Sequence, residues 1–100
     1  MEYTIQSDSN QRLVNLKGRL TFTDHEQFRK ITEAMHEPGS AKCTLDVSGL
    51  EFIDSAGLGL LLLVNEAAKE NDISVSIRGA QDQVKKMLEI TRFEEMIPVE

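Results

Sequence analysis

Hydrophobic and polar residues alternate in four parts of the chain, with the period of two that is typical of a β-strand with one buried face. The four segments are residues 3–6, 13–20, 43–48 with apolar positions continuing to 53, and 73–77. A polar cluster at residues 7–10 separates the first two segments, so we expect them to form a hairpin. Cys43 lies on the apolar side of its segment and is predicted to be a buried structural thiol.

Apolar residues spaced three and four apart predict an amphipathic helix between the second and third strands. Two residue pairs at its start have the spacing of a capping box, Thr23 with Glu26 and Asp24 with Gln27. The sequence does not choose between these two starts. A Pro-Gly pair at residues 38–39 ends the helix.

Two further helices are predicted in the second half of the chain. Residues 58–69 are almost wholly apolar, so this helix must be largely buried. Val84, Met87, Leu88 and Thr91 mark a third helix, which starts near residues 79–82. Residues 93–99 are expected to form a short strand or helical turn. The order β-β-α-β-α-β-α implies parallel crossovers beside one antiparallel hairpin. We therefore predict one α/β domain over residues 1–100, a mixed open sheet of four to five strands flanked by about three to four helices.

Charge and composition narrow the possible partners of this domain. The 100 residues include 17 acidic and 11 basic ones, a formal net charge of −6, which argues against nucleic acid and anionic membranes as partners. The longest apolar stretch, residues 56–64, is about half of the roughly 20 residues that span a bilayer. With no signal peptide at its start, the protein is expected in the cytoplasm. Cys43, His25 and His36 are too few and too widely spaced for a zinc site.

The sequence contains no complete motif for a dinucleotide cofactor or for a serine hydrolase. Gly57 and Gly59 precede an apolar helix, but Leu62 stands where a dinucleotide-binding loop needs its third glycine. Ser55 follows a strand as a hydrolase nucleophile does, yet the preceding glycine is missing and Asp54 would oppose a nearby oxyanion. We therefore predict no enzyme activity, no catalytic residue, no metal and no cofactor.

The turn from Asp54 to Leu58 remains, and two interpretations of it stay open. In the structural one, Ser55 is the N-cap of the following helix and the glycines allow a close approach. In the functional one, Ser55 carries a phosphate, which free amide groups at a helix N-terminus favour. A phosphate adds about −1.5 to −2 charges, and residues 49–67 contain no Arg or Lys to pair with it. Phosphorylation would therefore change docking at the turn more than it changes the fold.

The same residues resemble a known family, the STAS domains, and within it the bacterial anti-sigma-factor antagonists. Residues 45–61 match the family's apolar strand, its linker and its D-S-[SA]-G-L turn. Gly18-Arg19-Leu20 is similar to the family's G-x-L at the end of the second strand, and residues 84–88 resemble its third helix. The resemblance covers essentially the whole chain.

The resemblance implies partner switching, in which this protein is a substrate and not an enzyme. The unphosphorylated antagonist binds an anti-sigma factor that is also a serine kinase, phosphorylation of Ser55 breaks the complex, and a PP2C-type phosphatase restores it. The protein is expected to be a monomer or a weak dimer. The implied partner-binding residues are Thr21, Phe22, Thr23, Asp24, Asp54, Ser55, Ala56, Gly57 and Leu58.

Two residues depart from the family pattern. Thr21 stands where many antagonists have Asp, which puts the identity of the partner in question, and Ala56 replaces a frequent second serine. An alternative function stays open, that of a constitutive structural STAS subunit in a multiprotein complex such as those of bacterial lipid transport.

Overall fold

Four strands and three helices follow one another in the predicted order in a computed structural model that describes all of residues 1–100. The strands are β1 (Glu2–Ser7), β2 (Arg12–Leu20), β3 (Lys42–Ile53) and β4 (Ser74–Arg78). The helices are α1 (His25–Ala34), α2 (Ser55–Glu70) and α3 (Asp82–Ile90). Two short 3₁₀ turns, Phe22–Asp24 and Phe93–Glu95, precede α1 and follow α3.

The sheet has the order β1-β2-β3-β4 and is mixed, as predicted. β1 and β2 form the antiparallel hairpin, whereas β2 with β3 and β3 with β4 are parallel. Residues 93–99 are expected to form a short strand or a helical turn, and elements of both are present. Phe93–Glu95 form a 3₁₀ turn, and Val99 then makes a parallel bridge with Ile77. The predicted fold class, a mixed open sheet flanked by helices, is confirmed.

One face of the sheet carries the core and the helices. In β2, Val14, Leu16 and Leu20 are buried on this face, while Lys17 and Arg19 on the opposite face are exposed. α2 contributes more buried residues than either other helix, as its apolar pattern predicts. Its buried residues are Gly57, Leu58, Leu60, Leu61, Val64, Asn65, Ala67 and Ala68.

β3 is much longer than β4, and this difference positions the turn that follows it. β4 pairs only with Lys42–Asp46, whereas β2 follows β3 to its end, where Leu20 pairs with Ile53. Shifts in the β2–β3 register absorb the extra length of β3. The ends of β2 and β3 therefore lie side by side, and the chain segments that leave them begin next to each other.

Cys43 lies in β3 with no exposed surface, which confirms the prediction of a buried thiol. Burial raises its pKa from 9.0 to about 11, against a smaller opposing effect of the Arg12 charge. A raised pKa keeps the thiol protonated, and roughly one thiol in a thousand is ionised at pH 8.

We expect Cys43 to react at least about 100-fold more slowly with Ellman's reagent at pH 8 in the native protein than in guanidinium chloride, because only the exposed thiolate attacks. The unfolded chain at the same pH is the control. Rapid stoichiometric labelling of the native protein would show that the thiol is accessible and that its burial is wrong.

Candidate functional site

The first turn of α2 is capped by Asp54 and not by Ser55. Asp54 has extended backbone angles, and its Oδ1 accepts a hydrogen bond from the Gly57 amide at 2.7 Å. Its carbonyl oxygen accepts the Leu58 amide at 3.0 Å. The structural interpretation of Ser55 as the N-cap is therefore wrong, because the carboxylate one residue earlier takes the amide that the serine hydroxyl would have accepted. Ser55 is the first helical residue, and it is exposed.

Gly57 lets this turn sit directly on the end of β2. A Cβ atom at this position would lie 2.6 Å from the Leu20 carbonyl oxygen and 2.9 Å from a side-chain carbon of Ile53. No side chain larger than hydrogen fits there without displacing backbone. Gly59, in contrast, has nothing within 4 Å of such a Cβ atom, so no close approach requires it to be a glycine.

The segment after β2 folds into a 3₁₀ turn that Asp24 holds from inside. Asp24 is 7% exposed, and its Oδ2 accepts a hydrogen bond from the Thr21 amide at 2.9 Å. The Met1 ammonium group lies 3.2 Å from its Oδ1. Of the two predicted starts of α1 the structure has the second, with Asp24 at the N-cap position. Neither predicted capping box forms, since the carboxylate of Asp24 bonds back to Thr21 and Thr23 shares a hydrogen bond with the Thr21 hydroxyl at 2.8 Å. α1 consequently begins at His25, without a side-chain cap.

These two segments meet at the surface. The Asp54 amide donates to the Leu20 carbonyl oxygen at 3.3 Å, and the 3₁₀ turn contacts α2. Phe22 is 69% exposed, the largest exposure among the large hydrophobic side chains of the protein. We call the exposed residues of the two segments the turn surface: Phe22, Thr23, Ser55 and Ala56.

The remaining residues of the expected partner-binding set lie at or below this surface. Thr21 and Asp54 are half-buried. Asp24, Gly57 and Leu58 are buried, so they support the turn surface instead of contributing exposed atoms to it. The expected set therefore divides into exposed residues, which a partner can contact, and buried residues, which hold the exposed ones in position.

Gln83 near the start of α3 is a neighbour of the turn that the sequence did not indicate. Its Nε2 donates to the Ile53 carbonyl oxygen and its Oε1 accepts from the Ile53 amide, both at 2.9 Å. A glutamine in the first turn of a helix is common, and the 30 residues between the two partners leave no local signal of the pair.

Two carboxylates near β3, those of Asp46 and Asp54, lie far apart and form no acid–base pair. Asp46 accepts hydrogen bonds from the Ser48 amide and hydroxyl and lies 3.1 Å from Arg78 Nε. Partial burial tends to raise the pKa of Asp46, but these hydrogen bonds and the Arg78 charge outweigh it and hold the pKa below its ordinary value of 3.8. Asp54 is eight residues further along extended chain, roughly 25 Å away, and caps α2.

The five main surface cavities also lie away from Ser55. Of five cavities of about 200–440 Å³, none is lined by Asp54 or Ser55. A groove of about 340 Å³ between α1 and α2 contains both histidines, His25 and His36. No group of three or more His, Cys, Asp or Glu side chains is arranged to hold a metal ion. No helix combines the length and the hydropathy needed to cross a bilayer.

Comparison with known proteins identifies the family. Residues 3–98 match the family model described as "Mlab, STAS domain". The chain is a STAS domain. It is 26% identical over 93 residues to a STAS-domain containing protein of Pseudomonas aeruginosa, and the match covers 93% of this chain and 91% of that protein. It is also 23% identical over 101 residues to the anti-sigma-B factor antagonist of Staphylococcus aureus, with 99% of this chain and 94% of that protein covered.

Solved structures share the fold over almost the whole STAS domain. The anti-sigma factor antagonist SpoIIAA in its unphosphorylated form superposes with a TM-score of 0.81 at 18% identity, covering 99% of this chain and 88% of that one. The phosphorylated form of SpoIIAA from Bacillus superposes with a TM-score of 0.73 at 17% identity, covering 99% and 91%. The expected membership in the STAS family is therefore confirmed in sequence and in fold.

Asp54 and Ser55 are adjacent, but only Asp54 bonds to the helix backbone. We expect Asp54→Ala to lower the free energy of unfolding by about 0.5–2 kcal/mol, because the Gly57 amide loses its partner. Ser55→Ala should change it by less than about 0.5 kcal/mol, as is usual for an exposed residue without structural bonds. Leu61→Ala, at a side chain with 1% exposure, is the buried reference and should cost about 2–5 kcal/mol. Urea unfolding of the three variants measures this, and equal losses for the first two would contradict the assignment.

Proposed function

We propose that this STAS domain is an anti-sigma-factor antagonist that works by partner switching. In its unphosphorylated form it binds an anti-sigma factor that is also a serine kinase, and phosphorylation of Ser55 ends that complex. A PP2C-type phosphatase removes the phosphate and restores binding. In this function the protein is a substrate of the kinase, carries no catalytic residue of its own and acts in the cytoplasm, where sigma factors are regulated.

The observation that carries the proposal is the separation of tasks between Asp54 and Ser55. Because Asp54 caps α2, the Ser55 hydroxyl is left exposed at the helix N-terminus. A kinase can reach this hydroxyl without opening the fold. The serine oxygen attacks the γ-phosphorus of ATP, the bond to the β-phosphate oxygen breaks with release of ADP, and the serine proton passes to solvent or to a base of the kinase.

The phosphate on Ser55 acts mainly on the contact with the partner. The N-terminal end of the helix dipole favours the added charge, whereas the Asp54 carboxylate next to it opposes that charge. Residues 49–67 contain no Lys or Arg that could draw the phosphate into a new ion pair. No basic residue of the segment around the turn is drawn into a new ion pair, and the new charge remains where the partner would bind.

Phe22 supplies the apolar part of the proposed contact. An exposed aromatic side chain beside a polar turn is the kind of residue that dominates binding energy in protein interfaces. Thr23 and Ala56 extend the surface around it, and the buried Asp24, Gly57 and Leu58 hold it in place. Thr21, where many antagonists have Asp, presents a hydroxyl bonded to that of Thr23, so the partner meets neutral groups there.

A second candidate function uses the same surface without phosphorylation. The match to the family model described as "Mlab, STAS domain" favours a constitutive structural subunit, such as one in a lipid-transport complex. In that case the turn surface docks permanently and Ser55 only lines the contact.

Intact mass spectrometry of the protein recovered from its native cells, or incubated with its cognate kinase and ATP, separates the two functions. We expect an added mass of about 80 Da at Ser55 in the wild type and none in Ser55→Ala. Ser48→Ala, at another exposed serine, is the control and should retain the phosphate. Absence of phosphate under every condition, together with normal partner binding by Ser55→Asp, would reject partner switching and leave constitutive docking.

We expect Phe22→Ala to weaken binding of the partner by about 10- to 100-fold, since a buried aromatic anchor at an interface is worth roughly 1–3 kcal/mol. Stability should change little, because the side chain is exposed in the free domain. Ile90→Ala is the matched control, with 66% exposure on α3 outside the turn surface, and should bind normally. Titration calorimetry with the purified partner measures both variants, and equal affinities for the two would remove Phe22 from the contact.

A further inference from the structure

The end of β3 has a strand on one side only. β4 stops pairing at Asp46, so beyond it no strand covers the edge of β3 that faces away from β2. At Ile53 the side-chain amide of Gln83 occupies that edge, with two hydrogen bonds of 2.9 Å to the backbone N–H and C=O of this single residue. One donor and one acceptor directed at one residue are what a neighbouring strand would offer.

We propose that Gln83 is a positioning residue for the turn that carries Ser55. Ile53 is joined directly to Asp54, whose amide donates to Leu20 and whose carboxylate caps α2 at Gly57. Gln83 thus holds the turn from the α3 side, and Leu20 holds it from the β2 side. Fixing both sides of residues 53 and 54 determines where the first helical residue stands.

The start of α3 is consistent with this role. Its N-cap residue, Gln81, makes no side-chain cap bond, so the pair of bonds from Gln83 is the side-chain anchor of this helix end. Asp82 has φ = 49°, in the left-handed region that costs energy for a residue other than glycine. Such a conformation persists where the surrounding contacts over-determine it, and the next residue makes those contacts.

Amide hydrogen exchange measured by NMR tests the proposal without any partner. In Gln83→Leu we expect exchange at Ile53 and Gly57 to rise at least about tenfold relative to Leu45, which lies in the middle of β3 and reports global opening. Gly57 is the decisive position, because it has no bond to Gln83 and depends only on the Asp54 cap. A residue that merely stabilises the fold would change all three amides by the same factor.

Gln27→Leu is the matched control. Gln27 is also a half-buried glutamine, but its Oε1 has no hydrogen-bond partner, so the same replacement removes no bond to the turn. We expect the wild-type ratio of exchange rates in this variant. The proposal is overturned if Gly57 accelerates no more than Leu45 in Gln83→Leu, or if Gln27→Leu produces the same pattern.

Two further measurements do not depend on the folding of the leucine variant. In the wild type, a scalar coupling across the hydrogen bond from Gln83 Nε2 to the Ile53 carbonyl should be detectable. If both signals are resolved and no coupling between them is found, the hydrogen bond is overturned. Gln83→Glu keeps the size and the acceptor but places a carboxylate oxygen against the Ile53 carbonyl oxygen. We expect exchange at Gly57 to be fast in this variant, and a wild-type ratio would refute the need for the donated bond.

The consequence for Ser55 rests on the proposed function. We expect Gln83→Leu to lower the rate of Ser55 phosphorylation, followed by intact mass, while Gln27→Leu leaves it unchanged. Exchange data as expected together with an unphosphorylated wild type would reject partner switching and retain the positioning role. Normal phosphorylation of a variant with fast exchange at Gly57 would show that the kinase does not depend on this placement, and it would overturn that consequence alone.

Discussion

The close approach of α2 to the end of β2 is the constraint on which the rest of this STAS domain depends. At Gly57 the helix backbone comes so near to the Leu20 carbonyl oxygen that a Cβ atom would lie 2.6 Å from it. This approach seats the first turn of the helix on the sheet, and the apolar side chains beyond it enter the core. Ser55, two residues earlier, is turned away from the sheet by the same placement, so one contact both buries the helix and exposes its first residue.

Around that contact, the residues that support the turn surface differ from those proposed to be recognised by a partner. The carboxylates of Asp54 and Asp24 bond to backbone amides and keep the two segments of the turn surface in shape. Phe22 and Ser55 take part in none of these bonds and face solvent. A surface built this way can gain a phosphate, or lose a partner, without losing the hydrogen bonds that maintain the fold. The formal net charge of −6 means that a phosphate on Ser55 would add to the charge of an already acidic domain.

Local periodicity was sufficient to predict the architecture. Alternation with a period of two marked all four strands, and the apolar run after Asp54 marked the buried helix, because burial against one layer imposes these patterns on consecutive residues. The mixed sheet followed from the hairpin at its start and the helices between the later strands. The burial of Cys43 and the membership in the STAS family were likewise readable from the residues themselves.

Only the tertiary structure decided which of several neighbouring polar groups holds each turn. Asp54 and Ser55 can both cap a helix, and where α2 packs decides between them. At the start of α1, Asp24 and Thr23 bond to Thr21 instead of to the predicted partners at residues 26 and 27, because the 3₁₀ turn brings Thr21 close. The two hydrogen bonds between Gln83 and Ile53 join residues 30 apart, and they can form because β3 extends beyond the end of β4. Sequence determines the helices and strands because their patterns are local. Several nearby polar groups could make each cap or long-range hydrogen bond, and contacts that form only when the elements pack decide which of them does.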